Sequence, residues 1–193
     1  MIRLACEADV PAILQIYAPY ILNTTYTFEY EVPGPEAFTA RFRQITEKFP
    51  WLVWEEQGKV LGYAYGSLPF ERAAYAWCSE ISIYLAPEAQ GKGIGRALYT
   101  VLEALMAAQG YQLVYSLITT ENTGSVSFHE KMGYHFDVNF PNCGYKFGRW
   151  LGVIWMEKRL KSVETPTHTP IDWSVFMQTP QKYQNILAKL PLS

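Results

Sequence analysis

The segment Ala86-Pro87-Glu88-Ala89-Gln90-Gly91-Lys92-Gly93-Ile94-Gly95-Arg96 decides the fold, because it joins a β-rich run to an amphipathic one. The residues before it, Tyr75–Leu85, are rich in aromatic and β-branched side chains, which predicts a strand. Apolar residues recur every three or four positions through Gly93–Gln109, which predicts a helix. A helix N-terminus after a glycine turn collects unpaired backbone N–H groups and partial positive charge. Because Lys92 and Arg96 add charge, the sequence predicts a phosphate-binding turn.

The glycine spacing of this turn excludes the two commonest phosphate loops. In a dinucleotide-binding loop the third glycine would fall at Arg96, and no Gly-Lys-Ser/Thr triplet of a P-loop is present. What remains is the pattern Q-x-x-G-x-G, formed by Gln90, Gly93 and Gly95. This pattern resembles the acetyl-CoA pyrophosphate loop of the GNAT superfamily of N-acetyltransferases. The alternative is an ordinary strand-to-helix turn whose glycines serve geometry alone.

A second group of residues strengthens the resemblance. It resembles the superfamily's second cofactor region and consists of Asn122, Ser125, His129, Gly133 and Tyr134. The resemblance implies acetyl-CoA as cosubstrate and a set of residues that bind it: Ile83, Tyr84, Leu85, Gln90, Gly91, Lys92, Gly93, Ile94, Gly95, Arg96 and Asn122. The first three would act through backbone N–H groups that stabilise negative charge on the acetyl oxygen. Asn122 fits a helix N-cap equally well, and both roles are compatible.

The resemblance narrows to phosphinothricin acetyltransferases and the related methionine sulfone and sulfoximine acetyltransferases, and it runs from about Ile2 to Leu160. The segments that carry it are Tyr75-Ala76-Trp77 with Glu80, Ser82 and Tyr84; Ser125-Val126-Ser127-Phe128-His129-Glu130; Gly144-Tyr145-Lys146-Phe147-Gly148-Arg149-Trp150; and Thr27-Phe28-Glu29. Gly152 departs from the acidic residue of many relatives, and the tail beyond Lys161 has no assigned counterpart. Because of these departures, the resemblance does not identify the acceptor, although it still identifies the cofactor.

Glu80 and His129 are the predicted catalytic residues. An amine acceptor is protonated at neutral pH, so a base must remove a proton before the amine can attack. Partial burial of a carboxylate in mid-strand raises its pKa toward neutrality, which suits it to this role. The alternative for Glu80 is a carboxylate that pairs with a cation or faces solvent. His129 stands where the superfamily usually has its acid, a tyrosine. A proton donor, an acceptor contact and a structural histidine all stay open for it.

The resemblance also implies that Phe28, Arg72 and Tyr75 bind the acceptor. A guanidinium can fork onto a carboxylate or phosphinate while aromatic side chains form walls. The alternatives are a solvated loop cation for Arg72 and core packing for the two aromatic residues. A second basic and aromatic group, Lys146, Arg149 and Trp150, is interpreted as a solvated strand edge or a dimer contact.

Composition limits the partners. The chain has 193 residues and a formal charge of −2, from 16 Lys and Arg against 18 Asp and Glu, which disfavours nucleic acid. No apolar run reaches the roughly 18 residues that would cross a membrane. The three cysteines, Cys6, Cys78 and Cys143, are widely spaced and have no zinc pattern. We therefore expect a cytoplasmic protein with reduced thiols, no metal, no nucleic acid and no membrane partner.

The order of the predicted elements indicates an α/β protein. Further strands are predicted at Leu113–Ile118, Tyr134–Val138 and Val153–Glu157. The resemblance implies a GNAT fold, in which a mixed, mostly antiparallel sheet splays at the cofactor site and is flanked by helices. We expect residues 1–161 to form this domain and residues 162–193 to form an extension with a short amphipathic helix, Thr179–Leu190.

The resemblance thus implies an acetyl-CoA-dependent N-acetyltransferase and a homodimer. The expected acceptor is a small amino-acid-like amine of the phosphinothricin or methionine sulfoximine type, acetylated by direct transfer in a ternary complex. One alternative is another amine, such as a polyamine, an aminoglycoside or a protein N-terminus. A second alternative is a sensor that binds acyl-CoA without turnover.

Overall fold

The computed structural model describes residues 1–162, 165–166 and 168–189. Strands and helices alternate along these residues in the following order: β1 Ile2–Leu4, α1 Val10–Asn23, α2 Pro35–Lys48, β2 Trp51–Glu56, β3 Lys59–Ser67, β4 Cys78–Leu85, α3 Ile94–Gln109, β5 Leu113–Thr119, α4 Thr123–Lys131, β6 His135–Lys146, β7 Arg149–Arg159, α5 Trp173–Phe176 and α6 Pro180–Lys189. The strands form one sheet in the order β1-β2-β3-β4-β5-β7-β6.

The sheet is antiparallel except where β4 meets β5. That parallel pairing lasts for three residues only, Cys78–Glu80 opposite Leu113–Tyr115. From Ile81 onward β4 keeps its partner β3 but diverges from β5. The structure therefore confirms the predicted mixed, mostly antiparallel sheet that splays in its middle.

The two sides of β4 face different helices, because successive side chains of a strand point to opposite faces. Tyr84 meets the rings of Tyr17 and Tyr20 on α1, with centroids 4.7 and 5.1 Å apart. Ile83 lies on the other face, against α3, where a Cβ added at Gly95 would stand 3.4 Å from it. Glu80 has the parity of Tyr84 and so lies on the α1 face.

Three predicted strands had wrong boundaries. Strand β4 begins at Cys78 rather than Tyr75, because Ala73–Tyr75 form a 3₁₀ turn. Strands β6 and β7 are much longer than predicted and meet in a hairpin at Phe147 and Gly148. The sequence hides their length because two irregularities of register interrupt the alternation of β6.

The last described segment packs against α2 and α3. Trp173 and Phe176 are buried, and the Ile171 N–H donates to the Gln109 carbonyl over 2.9 Å. Helix α6 turns Tyr183, Ile186 and Leu187 toward the core. Leu190, the last residue of the predicted amphipathic helix, lies outside the described residues. The division into a domain at 1–161 and an extension stays a prediction. Within the described residues, no helix is long and apolar enough to cross a membrane.

Candidate active site

A cleft opens where β4 and β5 diverge, and the backbone of β4 lines it. The Ala86 N–H donates to Leu61 on β3, so the alternating backbone groups of Ile83 and Leu85 point the other way, into the gap. The Leu85 carbonyl confirms this direction, because it accepts from the Tyr20 hydroxyl over 2.6 Å. Two of the three predicted backbone donors, Ile83 and Leu85, thus face the cleft. The N–H of Tyr84 is directed toward β3.

The turn before α3 leaves its backbone open to an anion. Gly91 and Gly93 have positive φ of 72° and 79°, and among the described residues no non-neighbouring atom lies within 4 Å of a Cβ added at either position. Gly93 occupies the N-cap of α3 and brings no capping side chain, so the first-turn N–H groups stay available. Lys92 and Arg96 are exposed beside it. The residues present therefore fit a diphosphate.

The remaining predicted members of this loop have different surroundings. Ile94 and Gly95 are buried, so Ile94 contributes only its backbone, and Gly95 packs against Ile83 and Phe128. The Gln90 amide donates to the Tyr20 hydroxyl over 3.2 Å, which ties the loop to α1. The contacts of these three residues to acetyl-CoA stay predictions.

Asn122 lies at the N-cap of α4 and on the wall of the cleft. Its side-chain oxygen accepts from the Ser125 N–H over 3.1 Å. The predicted capping role is therefore present. The amide also borders the same cleft as Ile83, so a hydrogen bond to the cofactor stays a prediction.

Glu80 is a largely buried carboxylate without a partner. Its carboxylate makes no hydrogen bond or ion pair with any residue that the structure describes. Burial raises its pKa to about 7. The alternative of a carboxylate paired with a nearby cation is thereby excluded among the described residues. Glu80 is the last residue of β4 that pairs with β5, so it lies beside the point where the cleft opens.

His129 is buried on α4 at the floor of the cleft. Its Nδ1 lies 2.7 Å from the Ser125 carbonyl, which only accepts, so Nδ1 carries the proton. Its Nε2 then accepts from the Tyr99 hydroxyl, 3.1 Å away. Burial lowers the pKa of the imidazole to about 4. At neutral pH His129 is a neutral acceptor whose free nitrogen already has a donor.

Tyr99 is a cleft residue that sequence reasoning missed. It lies on α3, and its buried hydroxyl reaches the cleft floor beside His129, with burial raising its pKa far above the usual range. In sequence it sits next to the apolar stripe of α3 and looks like one more core residue. No local signal joins it to a histidine on another helix.

Lys146 corrects a prediction. The sequence suggested a solvated strand edge, but this side chain is buried, and its ammonium donates to the carbonyls of Ile21 and Thr27 over 2.8 and 2.7 Å. Desolvation lowers its pKa. The side chain therefore fastens the loop between α1 and α2 to β6. Arg149 pairs with Glu121, and Trp150 is exposed and packs edge-on against Tyr145.

Phe28 lies on this fastened loop and covers Gly144 of β6. A Cβ at position 144 would stand 2.1 Å from the Phe28 ring, so the ring needs a glycine there. Glu29, the next residue, accepts from the Tyr17 hydroxyl over 3.0 Å and pairs with Arg41 over 2.6 Å. Contacts with α1, α2 and β6 thus hold this loop in one position.

Arg72 and Tyr75 share the loop between β3 and β4. The Arg72 side chain is exposed and has no hydrogen-bond or ion-pair partner among the described residues. The Tyr75 ring packs on Phe70 with centroids 4.6 Å apart and stays 43% exposed. Arg72 and Tyr75 thus belong to one loop, whereas Phe28 belongs to another and covers Gly144.

The comparisons with known proteins agree with this geometry. The family model described as an acetyltransferase (GNAT) domain matches residues 2–167. This chain belongs to the GNAT acetyltransferase family. It is 34% identical to phosphinothricin N-acetyltransferase of Alcaligenes faecalis over 166 residues, 85% of this chain and 84% of the relative. It is 37% identical to L-methionine sulfoximine/L-methionine sulfone acetyltransferase of Pseudomonas paraeruginosa over 167 residues, 82% of this chain and 94% of the relative.

A solved structure of a GNAT phosphinothricin acetyltransferase from Sinorhizobium meliloti, in complex with acetyl-CoA, matches with a TM-score of 0.84 and 34% identity. The match covers 90% of this chain and 96% of the other. The GNAT acetyltransferase described here is therefore an acetyl-CoA-dependent N-acetyltransferase, as its loop and cleft indicate. Its described residues contain no cluster of three His, Cys, Asp or Glu that could hold a metal ion.

Proposed function

We propose that this GNAT acetyltransferase acetylates the amino group of a small amino-acid-like acceptor, of the phosphinothricin or methionine sulfoximine and sulfone type. The transfer is direct, in a ternary complex of enzyme, acetyl-CoA and acceptor. The names of the relatives support the class of acceptor. The observation that carries the chemistry is Glu80, a largely buried carboxylate whose side chain has no partner among the described residues, at the opening of the cofactor cleft.

Glu80 acts as the general base. The ammonium of an amino acid has no free electron pair until it loses a proton, so attack on a carbonyl needs a proton acceptor near the cleft. With a pKa of about 7, the Glu80 carboxyl is substantially ionised at neutral pH and also strong enough as a base. It takes the proton directly or through one water.

The cofactor side is built from backbone groups. Acetyl-CoA, when bound, supplies the reactive thioester. The turn Gln90–Arg96 and the N-terminus of α3 hold the diphosphate, with Lys92 and Arg96 adding charge. The N–H groups of Ile83 and Leu85 point into the cleft and donate to the acetyl oxygen as it gains negative charge. Asn122 donates from the opposite wall.

His129 acts through Tyr99 in this proposal. The neutral imidazole has no proton on Nε2 to give, because Nδ1 holds it against the Ser125 carbonyl. The Tyr99 hydroxyl has a single proton, which it donates to that nitrogen at rest. As the sulfur departs, the hydroxyl turns this proton from Nε2 to the sulfur. One of the two protons that the ammonium loses ends on sulfur, and the other is released. The alternative is that His129 itself donates the proton to sulfur. Substitutions of Tyr99 and His129 distinguish the two mechanisms.

The proposed partner is a second copy of the chain, in the cytoplasm. Strand β6 is an edge of the sheet, and it exposes large apolar side chains such as Phe136 and Tyr145. Exposed edge strands of this kind are usually covered. The free cysteines, Cys6, Cys78 and Cys143, fit a reducing compartment. Light scattering on the purified protein tests the dimer.

Release of free thiol from acetyl-CoA tests the function. The purified protein is assayed with phosphinothricin, methionine sulfoximine, methionine sulfone, common amino acids, polyamines, aminoglycosides and a short peptide. Turnover with amino-acid acceptors and none with polyamines or aminoglycosides is the expected result. Turnover only with a polyamine, an aminoglycoside or the peptide contradicts the proposed acceptor class. Binding of acetyl-CoA without thiol release from any acceptor favours the sensor.

A further inference from the structure

The last described segment of the chain crosses from one layer of helices to the other. Helix α5 packs against α2 on one face of the sheet, and α6 packs against α3 on the opposite face. We call residues 168–189 the tail strap. Trp173 and Phe176 anchor it, because both rings are buried and they stack with centroids 5.2 Å apart. The strap lies beyond residues 2–167, the part of the chain that the family model matches.

A buried glutamine fastens the tail strap to both helix layers. Gln109 is the last residue of α3, and its side-chain amide donates to the carbonyls of Ile171 and Lys48 over 2.8 and 3.0 Å. Lys48 ends α2, so one side chain joins the ends of two helices to the strap. Pro170 packs so closely on Gly110 that a Cβ at position 110 would stand 3.3 Å from its Cα. The start of the strap is therefore fixed in place.

The tail strap also reaches the loop between β3 and β4. The Trp77 indole N–H donates to the His168 carbonyl over 3.0 Å, at the fastened end of the strap. The Trp77 ring is only partly buried and is not among the side chains that pack against the described core. Its backbone carbonyl accepts from the N–H groups of Gln112 and Leu113, which leaves the chain free to rotate about that point. The indole hydrogen bond removes this freedom.

A short turn connects Trp77 to the two loop residues that are expected to bind the acceptor. The Tyr75 N–H donates to the Arg72 carbonyl over 2.9 Å, and the Ala76 N–H donates to the Ala73 carbonyl over 3.1 Å. These two hydrogen bonds close a 3₁₀ turn, so its residues move together. Because Ala76 is bonded directly to Trp77, the contact that fixes the indole also fixes the orientation of the turn.

We propose that the tail strap positions the loop 68–77 for the acceptor and that Trp77 is the positioning residue through which it acts. This inference rests on the proposed function and on the expected contacts of Arg72 and Tyr75 with the acceptor. The loop enters β4 at Cys78, whereas the cofactor turn follows Leu85 at the other end of the strand. The strap therefore supports the acceptor side and leaves the binding of acetyl-CoA unaffected.

Trp77→Phe tests the contact by removing the indole donor while keeping an aromatic ring. We expect KM for methionine sulfone to rise about fivefold, the ratio that one typical hydrogen bond supplies, with kcat and the affinity for acetyl-CoA within about twofold of the parent. Trp54→Phe is the matched control, because the Trp54 indole N–H also makes one hydrogen bond, to the Glu56 carboxylate on β2 over 2.8 Å. An unchanged KM in Trp77→Phe, or an equal rise in the control, overturns the inference.

Amide hydrogen exchange tests the same contact without any acceptor. The N–H groups of Tyr75 and Ala76 close the turn, so their exchange rates report how often it opens. We expect both amides to exchange about fivefold faster in Trp77→Phe and at the parent rate in Trp54→Phe. Unchanged exchange in Trp77→Phe overturns the inference even where acetylation is observed. If the parent acetylates no amino acid, the proposed function fails, and the exchange rates still decide whether the tail strap holds the loop.

A substitution in the tail strap tests the contact from its other side. Trp173→Ala removes a buried anchor of the strap and is expected to raise KM for methionine sulfone by a similar factor. In the double variant, Trp77→Phe should add nothing further, because the carbonyl that its indole met is no longer held in place. Additive effects of the two substitutions on KM contradict the inference. If Trp173→Ala fails to fold by circular dichroism, the milder Phe176→Leu replaces it.

Discussion

The cofactor side and the acceptor side of β4 are built in different ways. The cofactor side uses the backbone of one continuous stretch, Ile83–Arg96, whose glycines and helix end would hold a diphosphate. The proposed acceptor side would use side chains from separate segments, among them Phe28 and Arg72. A site built from backbone groups tolerates many side chains as long as its glycines are kept, whereas a site built from side chains changes with each substitution. Relatives can therefore keep the same cofactor and reaction while they differ in the acceptor they bind.

Gly93→Val is expected to have the largest effect and to strike the cofactor side alone. Valine at φ +79° is strained and its side chain fills the space open to the diphosphate, so the affinity for acetyl-CoA falls roughly a hundredfold or more. Isothermal titration calorimetry measures it. Gly34→Val is the control, because that glycine has an ordinary φ of −62° and equally open space. An unchanged affinity in Gly93→Val would sink the loop assignment.

Glu80→Gln should lower kcat by roughly a hundredfold or more while acetyl-CoA binds normally, because the amide cannot accept the proton. In the parent, kcat/KM for the acceptor should fall as the pH drops below about 7, where the Glu80 carboxyl becomes protonated. The variant should lose this limb of the pH profile. Unchanged turnover would remove Glu80 as the base.

The same substitution also has a predicted effect on stability. Burial raises the pKa of Glu80 from 4.5 to about 7, so the folded state binds more protons between these values and stability falls as pH rises through them. Glu80→Gln should raise the free energy of unfolding at pH 8 by roughly 1–3 kcal/mol and have little effect at pH 4. Urea unfolding at both pH values measures it, and an equal effect at both would contradict the assigned pKa.

Tyr99→Phe should lower kcat by roughly tenfold with little change in KM, since it removes one hydrogen bond to the leaving sulfur. His129→Asn should lower kcat less, and the double variant should resemble Tyr99→Phe, because the imidazole acts through that hydroxyl. Tyr111→Phe is the control, a buried tyrosine that packs on Phe49 away from the cleft. Additive losses, or a larger loss in His129→Asn, would make the histidine the acid.

Lys146→Met should act on the acceptor side alone. It leaves the carbonyls of Ile21 and Thr27 without their donor, which costs roughly 1–3 kcal/mol of stability and loosens the loop that holds Phe28. KM for the acceptor should rise several-fold while the affinity for acetyl-CoA stays constant. Lys131→Met, at an exposed lysine, serves as the control. If the affinity for acetyl-CoA fell as much as the affinity for the acceptor, the two sides of β4 would not be independent and the prediction would be wrong.

Much of the cofactor side could be predicted from the sequence. The strand, the glycine turn and helix α3 are each determined by neighbouring residues. The spacing of Gln90, Gly93 and Gly95 can therefore be recognised without knowledge of any long-range contact. The family match confirms the acetyltransferase prediction that this spacing suggested. What failed were features without local periodicity, such as the bulged β6 and the 3₁₀ turn before β4.

By itself, the sequence determined the cofactor, the family and the position of Glu80, because backbone turns and strand patterns are written in neighbouring residues. Only the tertiary structure decided the state of each acidic or basic group. It turned Lys146 inward onto two carbonyls, left Glu80 without a partner and set Tyr99 against His129. Burial and partners come from segments far apart in the chain, and these surroundings, rather than residue identity, set a pKa.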